Sequence, residues 1–170
     1  MGNLDTTERP LQYLASQLQV LGFDADSSVA MMTGADVSAA AYELQTHQEL
    51  QVAAWTTAGC SNALSVGDSA TVERTSPATI NIIVAVNQPL SRNALVEAVQ
   101  IATEARVLAV QKAGVKSVVS GNLATGTGTD CIVVAAPSGD PIHQYCGKHT
   151  RLGELIGKAV LTSCLSAIRT

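Results

Sequence analysis

The 170-residue sequence contains few aromatic residues and few charges. One Trp, three Tyr and one Phe make up 3% of the chain, and charged residues make up 14%, although about a quarter is usual. Because the hydrophobic content is 46%, the core must be built from Ala, Val, Leu and Ile, in elements that approach closely. A chain this poor in charge is expected to bury more surface than a monomer does, so we expect a homo-oligomer.

Other features that are missing exclude several classes of protein. The sequence has no basic run and a net charge of −4, which argues against nucleic acid and anionic membranes as partners. No apolar run approaches the length of a membrane span, and no signal peptide is recognisable, so we expect a cytoplasmic protein. The cysteines and histidines lack metal-ligand spacing, so we expect no metal site and interpret the cysteines as small buried hydrophobic residues. The cysteines are Cys60, Cys131, Cys146 and Cys164.

The length and the hydrophobic patterns predict one domain over residues 1–170. Helices are predicted at 11–21, 92–113 and 150–168, and Thr6–Pro10 has the composition of a helix start. Strands are predicted at 28–33, 51–57, 80–86, 115–119 and 131–136, the last of the buried type, whereas 36–44 is ambiguous between helix and strand. Because strands and long helices alternate in the second half, we expect an α/β fold, with α+β as the alternative: a mixed β-sheet covered by helices.

The most informative segment is Leu123–Asp130, in which three threonines alternate with two glycines before a carboxylate and an apolar run. If the segment is extended, its hydroxyls lie on one face and its bare backbone on the other, an arrangement that suits a large polar ligand rich in amides. The alternative is a tight Gly-rich turn between a helix and a strand. A phosphate-binding loop does not fit, because a strand rather than a helix follows.

Two polar residues fall in apolar surroundings. Arg106 lies on the apolar face of the helix predicted at 92–113, where an unpaired charge costs several kcal/mol. We therefore expect a carboxylate partner, Asp130 or Asp68, with snorkelling or a ligand contact as alternatives. Asn81 lies inside the apolar run 80–86, so it either has hydrogen-bond partners at a site or occupies an edge or solvent-facing position.

Polar residues also cluster in two loops. Thr57, Ser61 and Asn62 surround a Gly-containing turn after a predicted strand, where they could contact a substrate amide or serve ordinary turn chemistry. Lys148 and His149 precede the last helix, where positive charge opposes the helix dipole unless an anion or a developing negative charge lies nearby. His149 is the best general acid–base candidate by its surroundings, and a solvated basic cap is the alternative.

Together these segments resemble the adenosylcobinamide amidohydrolase family of corrinoid-salvage enzymes. The matching segments are Thr57–Ala63 with Val66–Asp68, Thr79–Ile82, Thr103–Arg106, Ala124–Asp130, and Gly147–His149 with Leu152–Glu154. The resemblance covers the chain from about Met31 onward. It implies hydrolysis of the amide that joins aminopropanol to a corrin propionate, which gives adenosylcobyric acid and 1-aminopropan-2-ol. It also implies a corrinoid partner and no separate cofactor, since the cobalt enters only with the substrate.

Amide hydrolysis needs a nucleophile, donors for the oxyanion and an acid for the leaving amine. With the resemblance in view, we expect Thr129 or Ser61 to act as nucleophile or to position water, and Asp130 to act as base. Lys148 would stabilise the oxyanion and His149 would protonate the amine. The segments Thr125–Asp130, Ser61–Asn62 and Lys148–His149 are expected to converge on one cleft. The expected substrate-binding residues are Thr57, Ser61, Asn62, Asn81, Thr125, Gly126, Thr127, Gly128 and Gly147, and the expected supporting residues are Glu104, Arg106 and Asp68.

The sequence also departs from the resemblance in one respect. Family members usually carry an additional N-terminal segment with a Ser- and Gly-rich stretch and an early strand, whereas this sequence begins near its first predicted helix. The competing hypothesis is therefore a non-catalytic corrinoid-binding or structural homologue that lost activity with that segment.

Overall fold

The first of two compact units ends at Met32, and the second begins at Thr33. The computed structural model describes residues 10–70 and 78–169, so the predicted helix start at Thr6–Arg9 lies outside the described residues. In the first unit, helix α1 spans Pro10–Val20, as its leucine spacing predicts. The strand predicted at 28–33 is wrong: these residues have no regular secondary structure, because no described strand pairs with them. That 1–170 forms one domain stays a prediction.

The second unit contains a four-stranded sheet and two long helices. Its elements are β1 (Ala41–His47), β2 (Leu50–Ala58), β3 (Ile80–Val86), α2 (Arg92–Lys112), β4 (Cys131–Ala135) and α3 (Arg151–Arg169). The strand order is β1-β2-β3-β4; the first two pairs are antiparallel and β3–β4 is parallel. The parallel pair is joined through α2, because parallel neighbours need a long crossover connection. The predicted α/β fold with a mixed sheet is confirmed.

Two predicted strands differ from the structure, and one ambiguous segment is resolved. Residues 36–44 form a short 3₁₀ turn at Val37–Ala39 and then enter β1. The strand predicted at 115–119 is reduced to one isolated bridge between Lys116 and Leu123, in a hairpin-like turn. β4 exists where predicted, but it is an edge strand whose first and last residues are exposed, so its apolar run does not indicate full burial.

The core lies between one face of the sheet and helices α2 and α3. α2 presents alanines to this core, and the small side chains allow the close approach that the scarcity of aromatic residues requires. Ser91 caps α2 by accepting a hydrogen bond from the Ala94 amide at 3.1 Å, and the Thr150 hydroxyl caps α3 by accepting one from the Gly153 amide at 3.0 Å. The main buried residues are Val52, Ala54, Ile80, Ile82, Val84, Ala98, Ala102, Ala109, Ile156 and Val160.

No helix within residues 10–70 and 78–169 combines the length and the apolar character that a membrane crossing needs.

Candidate functional site

A buried ion pair lies at the end of the sheet where strands β3 and β4 begin. Asp130 immediately precedes β4, and its Oδ2 atom lies 2.9 Å from Nη1 of Arg106 on α2. The same carboxylate accepts hydrogen bonds from the Ile80 amide at 2.9 Å, from the Thr127 amide at 2.8 Å and from the Thr127 hydroxyl. We call Gly126, Thr127, Asp130 and Arg106 the Asp130 cluster. Four donors meet the two oxygens, so the carboxylate's acceptor positions are filled.

The predicted pairing of Arg106 is confirmed with Asp130 and not with Asp68. Asp68 instead accepts a hydrogen bond from the Ser65 amide at 2.7 Å and another from the Ser117 hydroxyl. The Ser117 hydrogen bond is the main reason that the pKa of Asp68 lies below its usual value. Asp68 therefore fastens the loop after β2 to the turn after α2.

The Thr-Gly segment is not one continuous strand: Leu123 and Gly126 form isolated bridges with Lys116 and Leu64, and a turn follows at Gly128–Thr129. Each threonine hydroxyl has a hydrogen-bond partner: Thr125 Oγ1 accepts from the Val66 amide at 2.8 Å, Thr127 donates to Asp130, and Thr129 donates to the Ala78 carbonyl at 3.2 Å. The interpretation as three hydroxyls on one open face is therefore wrong, because the Asp130 carboxylate draws the loop around itself.

Gly126 is required by the close packing inside this turn. A Cβ atom added there would lie 2.1 Å from Oδ2 of Asp130 and 3.3 Å from Cζ of Arg106. By contrast, a Cβ at Gly128 would meet only Cδ1 of Leu64 at an ordinary 3.6 Å. The first glycine thus makes room for the ion pair, whereas the second has no such constraint.

The turn after β2 adjoins the Asp130 cluster. Ser61 and Asn62 lie in that turn, which leads to Leu64, and the Leu64 amide donates to the Gly126 carbonyl at 2.9 Å. Leu64–Val66 and Thr125–Asp130 line one cavity of about 370 Å³ together with Arg106. Ser61 and Asn62 are not among the residues that line this cavity, but the chain leads from them directly into Leu64–Val66, which are.

Thr57 and Asn81 lie side by side at the same end of the sheet. They are register partners on β2 and β3, and Asn81 is only 6% exposed. Asn81 is thus a buried residue of a central strand, and the alternative of an edge or solvent-facing position is wrong. The Thr57 hydroxyl is buried, and it has no hydrogen-bond partner among the residues that the structure describes.

A second polar cluster surrounds the loop before α3. We call Cys146–Thr150 the Lys148 loop. The Cys146 amide donates to Oε2 of Glu97 at 2.5 Å, and Lys148 forms an ion pair with Glu104. The loop also folds back on itself, because the Gly147 carbonyl accepts hydrogen bonds from the amide and hydroxyl of Thr150, at 2.9 and 2.8 Å.

Glu104 explains why a lysine can precede a helix N-terminus. The N-terminal end of a helix is positive and disfavours a lysine, but the Glu104 carboxylate supplies a negative partner for Lys148. The hydrogen bond from Lys148 is the main cause of the lowered pKa of Glu104. A tight contact holds the loop against α3, because a Cβ at Gly153 would lie 2.4 Å from the Gly147 carbonyl oxygen. His149 is exposed beside this anchored backbone.

The Lys148 loop lies at a groove between α2 and α3. We call this cavity of about 650 Å³ the α2–α3 groove. Its apolar walls are lined by Ile101, Ala105, Val107, Leu108, Gly157 and Leu161, and Glu104, Lys148, Glu154 and Lys158 bring charge to it. A smaller cavity of about 330 Å³ is lined by Glu97, Gln100, Ile101 and Gly147–His149. The two cavities share Ile101 and Lys148, so polar groups adjoin an apolar groove, which is the usual composition of a ligand site.

The prediction of one cleft for all three segments does not hold for Lys148 and His149. They line the α2–α3 side, whereas Thr125–Asp130 line the separate 370 Å³ cavity. The cause is helix geometry: Glu104 and Arg106 are two residues apart on α2, which is about 200° around the helix axis. Glu104 therefore meets Lys148 on one side while Arg106 meets Asp130 on the other. The roles of the individual residues stay predictions.

The cysteines are poor nucleophiles by their surroundings. Burial raises the pKa of Cys164 to about 11 and that of Cys146 to about 11, and burial also raises the pKa of Cys60. Cys146 and Cys164 are buried as predicted, whereas Cys60 is half-buried and Cys131 is exposed at the start of the edge strand.

Sequence reasoning missed two sets of polar contacts. The hydrogen bond from the Cys146 amide to the Glu97 carboxylate, which joins α2 to the Lys148 loop, has no sequence signal. Thr56 and Ser163 join β2 to α3 through a buried hydroxyl pair at 2.8 Å. The sequence does contain a signal for Thr56: it is a hydroxyl residue at a core-facing position of a strand whose other core-facing residues are apolar.

Comparisons with known proteins show which family the chain matches. A sequence model of the adenosylcobinamide amidohydrolase family matches residues 3–170. The uncharacterized protein MJ1613 of Methanocaldococcus jannaschii is 33% identical to this chain in an alignment that covers 89% of this chain and 66% of that protein. No solved structure matches the chain.

Proposed function

Because the chain belongs to the adenosylcobinamide amidohydrolase family, we propose that it hydrolyses the amide between aminopropanol and a corrin propionate in adenosylcobinamide. The products are adenosylcobyric acid and 1-aminopropan-2-ol. The family match over residues 3–170 is the observation that carries this proposal. The corrinoid brings its own cobalt, so the proposed reaction uses no further cofactor.

The α2–α3 groove is the proposed place for the corrin ring. Its volume of about 650 Å³ lies within the usual range for ligand sites of about 300–1,000 Å³. Its walls are mainly apolar, which suits the hydrocarbon parts of a corrin, and charged side chains at Glu104, Lys148, Glu154 and Lys158 can meet the polar side groups.

Gly157 supports a ligand in this groove. It lies inside α3, where Gly costs about 0.8–1.0 kcal/mol relative to Ala. A Cβ at this position would meet only Cγ2 of Ile101, at an ordinary 3.7 Å, so the chain's own packing does not need a glycine. The free space lets a ligand approach the backbone of α3.

The proposed chemistry takes place at the Lys148 loop. A water molecule attacks the amide carbon while His149 takes one of its protons, and a C–O bond forms. The Lys148 ammonium, held by Glu104, stabilises the tetrahedral oxyanion. His149 then gives the proton to the amide nitrogen as the C–N bond breaks, so that 1-aminopropan-2-ol leaves.

The Asp130 cluster is proposed to support the site and not to act as base. Its carboxylate already has four donors, and the Thr129 hydroxyl donates to the Ala78 carbonyl, so neither group is poised to accept a proton from water. We propose that the cluster fixes α2 against the sheet, which in turn holds Glu104 toward Lys148.

The proposal is tested by incubating the purified chain with adenosylcobinamide and separating the corrinoids by chromatography with mass detection. The expected result is a new corrinoid that has lost aminopropanol and keeps its primary carboxamides. Binding that is visible by absorbance titration without any new product would contradict hydrolysis and favour the non-catalytic homologue. Absence of both would contradict the corrinoid assignment.

A further inference from the structure

The helices of the second unit cover only one face of its sheet. α2 and α3 pack against the side chains of Val52, Ile82 and their neighbours, and alternate side chains of a strand point to the opposite side. We call that opposite side the outer face. Following the strand register, the outer face consists of Tyr42, Leu44, Thr46, Gln51, Ala53, Trp55, Thr57, Asn81, Ile83, Ala85, Cys131, Val133 and Ala135. Asn81 and Ala53 are buried even on this side, at 6% and 9% exposed, so the exposed part of the face is formed by the other residues.

The outer face carries no charged residue and exposes large apolar side chains. Tyr42, Leu44, Trp55 and Ile83 are 53%, 45%, 40% and 40% exposed. An antiparallel sheet that faces water normally presents polar residues on that side, and a contiguous exposed apolar patch of this kind marks an interaction site. The ring centroids of Tyr42 and Trp55 are 5.1 Å apart, so the patch contains a packed aromatic pair, the residue types that dominate interfaces.

The side chains of the outer face form a ridge beside a trough. The register aligns Tyr42, Trp55, Ile83 and Val133 in one row across all four strands. The adjacent row contains Leu44 followed by the small residues Ala53, Ala85 and Ala135. A large-residue row beside an alanine row is complementary to a copy of itself after a two-fold rotation, because the ridge of each copy then lies over the trough of the other.

We propose that the outer face binds a second copy of this chain, sheet against sheet, about a two-fold axis. A two-fold interface places each patch opposite itself, so like charges would repel. The chain has a net charge of −4, yet this face is neutral, which removes that repulsion. Two sheets pack face to face at a separation of about 10 Å, with interdigitating side chains.

The size of the face is near the lower limit for a specific dimer. Four strands of 7, 9, 7 and 5 residues, about 4.8 Å apart and with a rise of about 3.3 Å per residue, cover a projected area of roughly 450 Å² per copy. The accessible area of protruding side chains exceeds this projection, which brings the total toward the lower limit of specific interfaces, about 1,200 Å².

The test measures the mass of the full chain in solution by light scattering after size-exclusion chromatography. We expect a dimer for the unsubstituted chain and a monomer for Ile83→Glu, which places a charge on the ridge. The matched control is Val96→Glu, since Val96 is 71% exposed on α2, away from the sheet; this variant should remain a dimer. Tyr42→Lys, on the edge strand, is the second variant, and it also should be monomeric with unchanged circular dichroism.

The single tryptophan gives an independent measurement, because Trp55 lies on the ridge. The emission of Trp55 should move to longer wavelength when the protein is diluted below the dissociation constant of the dimer. Val96→Glu should show the same shift on dilution. If the unsubstituted chain is monomeric at all concentrations, the proposal is overturned. Shielding of Trp55 by the chain's own residues, or quenching of its emission by added cobinamide, would not rescue it. Persistence of the dimer in both Ile83→Glu and Tyr42→Lys would also overturn it.

Discussion

Arg106 and Asp130 connect α2 to the beginning of β4 through side chains that are 14% and 5% exposed. Arg106→Ala removes the cation and leaves a carboxylate largely shielded from water. We therefore expect the free energy of unfolding to fall by about 3–5 kcal/mol, as measured by urea denaturation. Arg151→Ala is the control, because its ion pair with Glu154 is exposed and should contribute less than about 1 kcal/mol. An equally small loss for Arg106→Ala would contradict the structural role.

Gly126 allows a second prediction within the same loop. Gly126→Ala places a methyl group where the Asp130 carboxylate lies, so the ion pair must shift; overpacking of this kind costs about 1–3 kcal/mol. Gly128→Ala has an ordinary contact with Leu64 and should change stability by no more than about 0.5 kcal/mol. Thermal unfolding of the two variants measures the difference, and equal stabilities would show that Gly126 is not required for packing.

His149 is the residue on which the proposed chemistry depends most. His149→Ala should lower kcat by roughly 10²–10⁴, the usual contribution of general acid–base catalysis, while the fold survives because the side chain is exposed. His143→Ala is the control: His143 contacts Gln88 at 2.7 Å and lines a different cavity, so kcat should stay close to that of the unsubstituted chain.

The pH dependence of the rate separates catalysis by His149 from binding. If His149 transfers the proton, the pH–rate profile of His149→Ala should differ in shape from that of the unsubstituted chain. A variant that keeps the original kcat and has only a raised KM would make His149 a binding residue. The acid would then have to be another group of the Lys148 loop or its surroundings.

At this scale the sequence predicts the existence of a partner more readily than its identity. Helical periodicity places Arg106 on an apolar face, and the cost of a lone buried charge then requires a carboxylate. The choice between Asp130 and Asp68 depends on how the loops cross the sheet edge, which local sequence does not specify. The Glu97 contact with the Cys146 amide escapes prediction for the same reason.

At the scale of elements, substitutions of Gly157 in α3 distinguish whether the fold or the ligand requires a glycine there. Gly157→Ala should raise the free energy of unfolding by up to about 1 kcal/mol, since alanine favours the helix and its Cβ meets no clash. Gly157→Leu should fill the α2–α3 groove and weaken the binding of adenosylcobinamide at least about tenfold, or about 1.4 kcal/mol.

An absorbance titration of the two Gly157 variants measures the affinities. Unchanged affinity in Gly157→Leu, with the fold intact by circular dichroism, would place the corrinoid elsewhere. The cavity beside Thr125–Asp130 would then be the next candidate. Such a result concerns the location of the ligand and leaves the proposed reaction to its own test.

Elements with strong periodicity were predictable, and elements defined by their neighbours were not. α2 has a serine cap, a long amphipathic pattern and a terminal glycine, and it forms as predicted. β4 has an apolar run that looks buried, but its place at the sheet edge is a property of the strand order. Local rules alone allow the Thr-Gly segment to be extended or turned; in the structure it forms bridges at Leu123 and Gly126 and turns only at 128–129, next to the Asp130 carboxylate that binds Thr127.

For the whole molecule, the two polar clusters lie on different sides of α2. The segment Thr103–Arg106 joins them, since Glu104 pairs with Lys148 and Arg106 pairs with Asp130. The sequence order of the motifs indicates the family but carries no information on which motifs share a cavity. That grouping follows from the rotation of side chains around a helix, so it can be read only from the folded chain.

The most direct test of the central claim is the reaction of the purified chain with adenosylcobinamide in water enriched in the heavy oxygen isotope. If the chain hydrolyses the aminopropanol amide, mass spectrometry will detect adenosylcobyric acid with one heavy oxygen in its new carboxylate. 1-Aminopropan-2-ol will form in equal amount, and His149→Ala will form both far more slowly. Intact adenosylcobinamide after prolonged incubation with folded, corrinoid-bound protein would contradict the account.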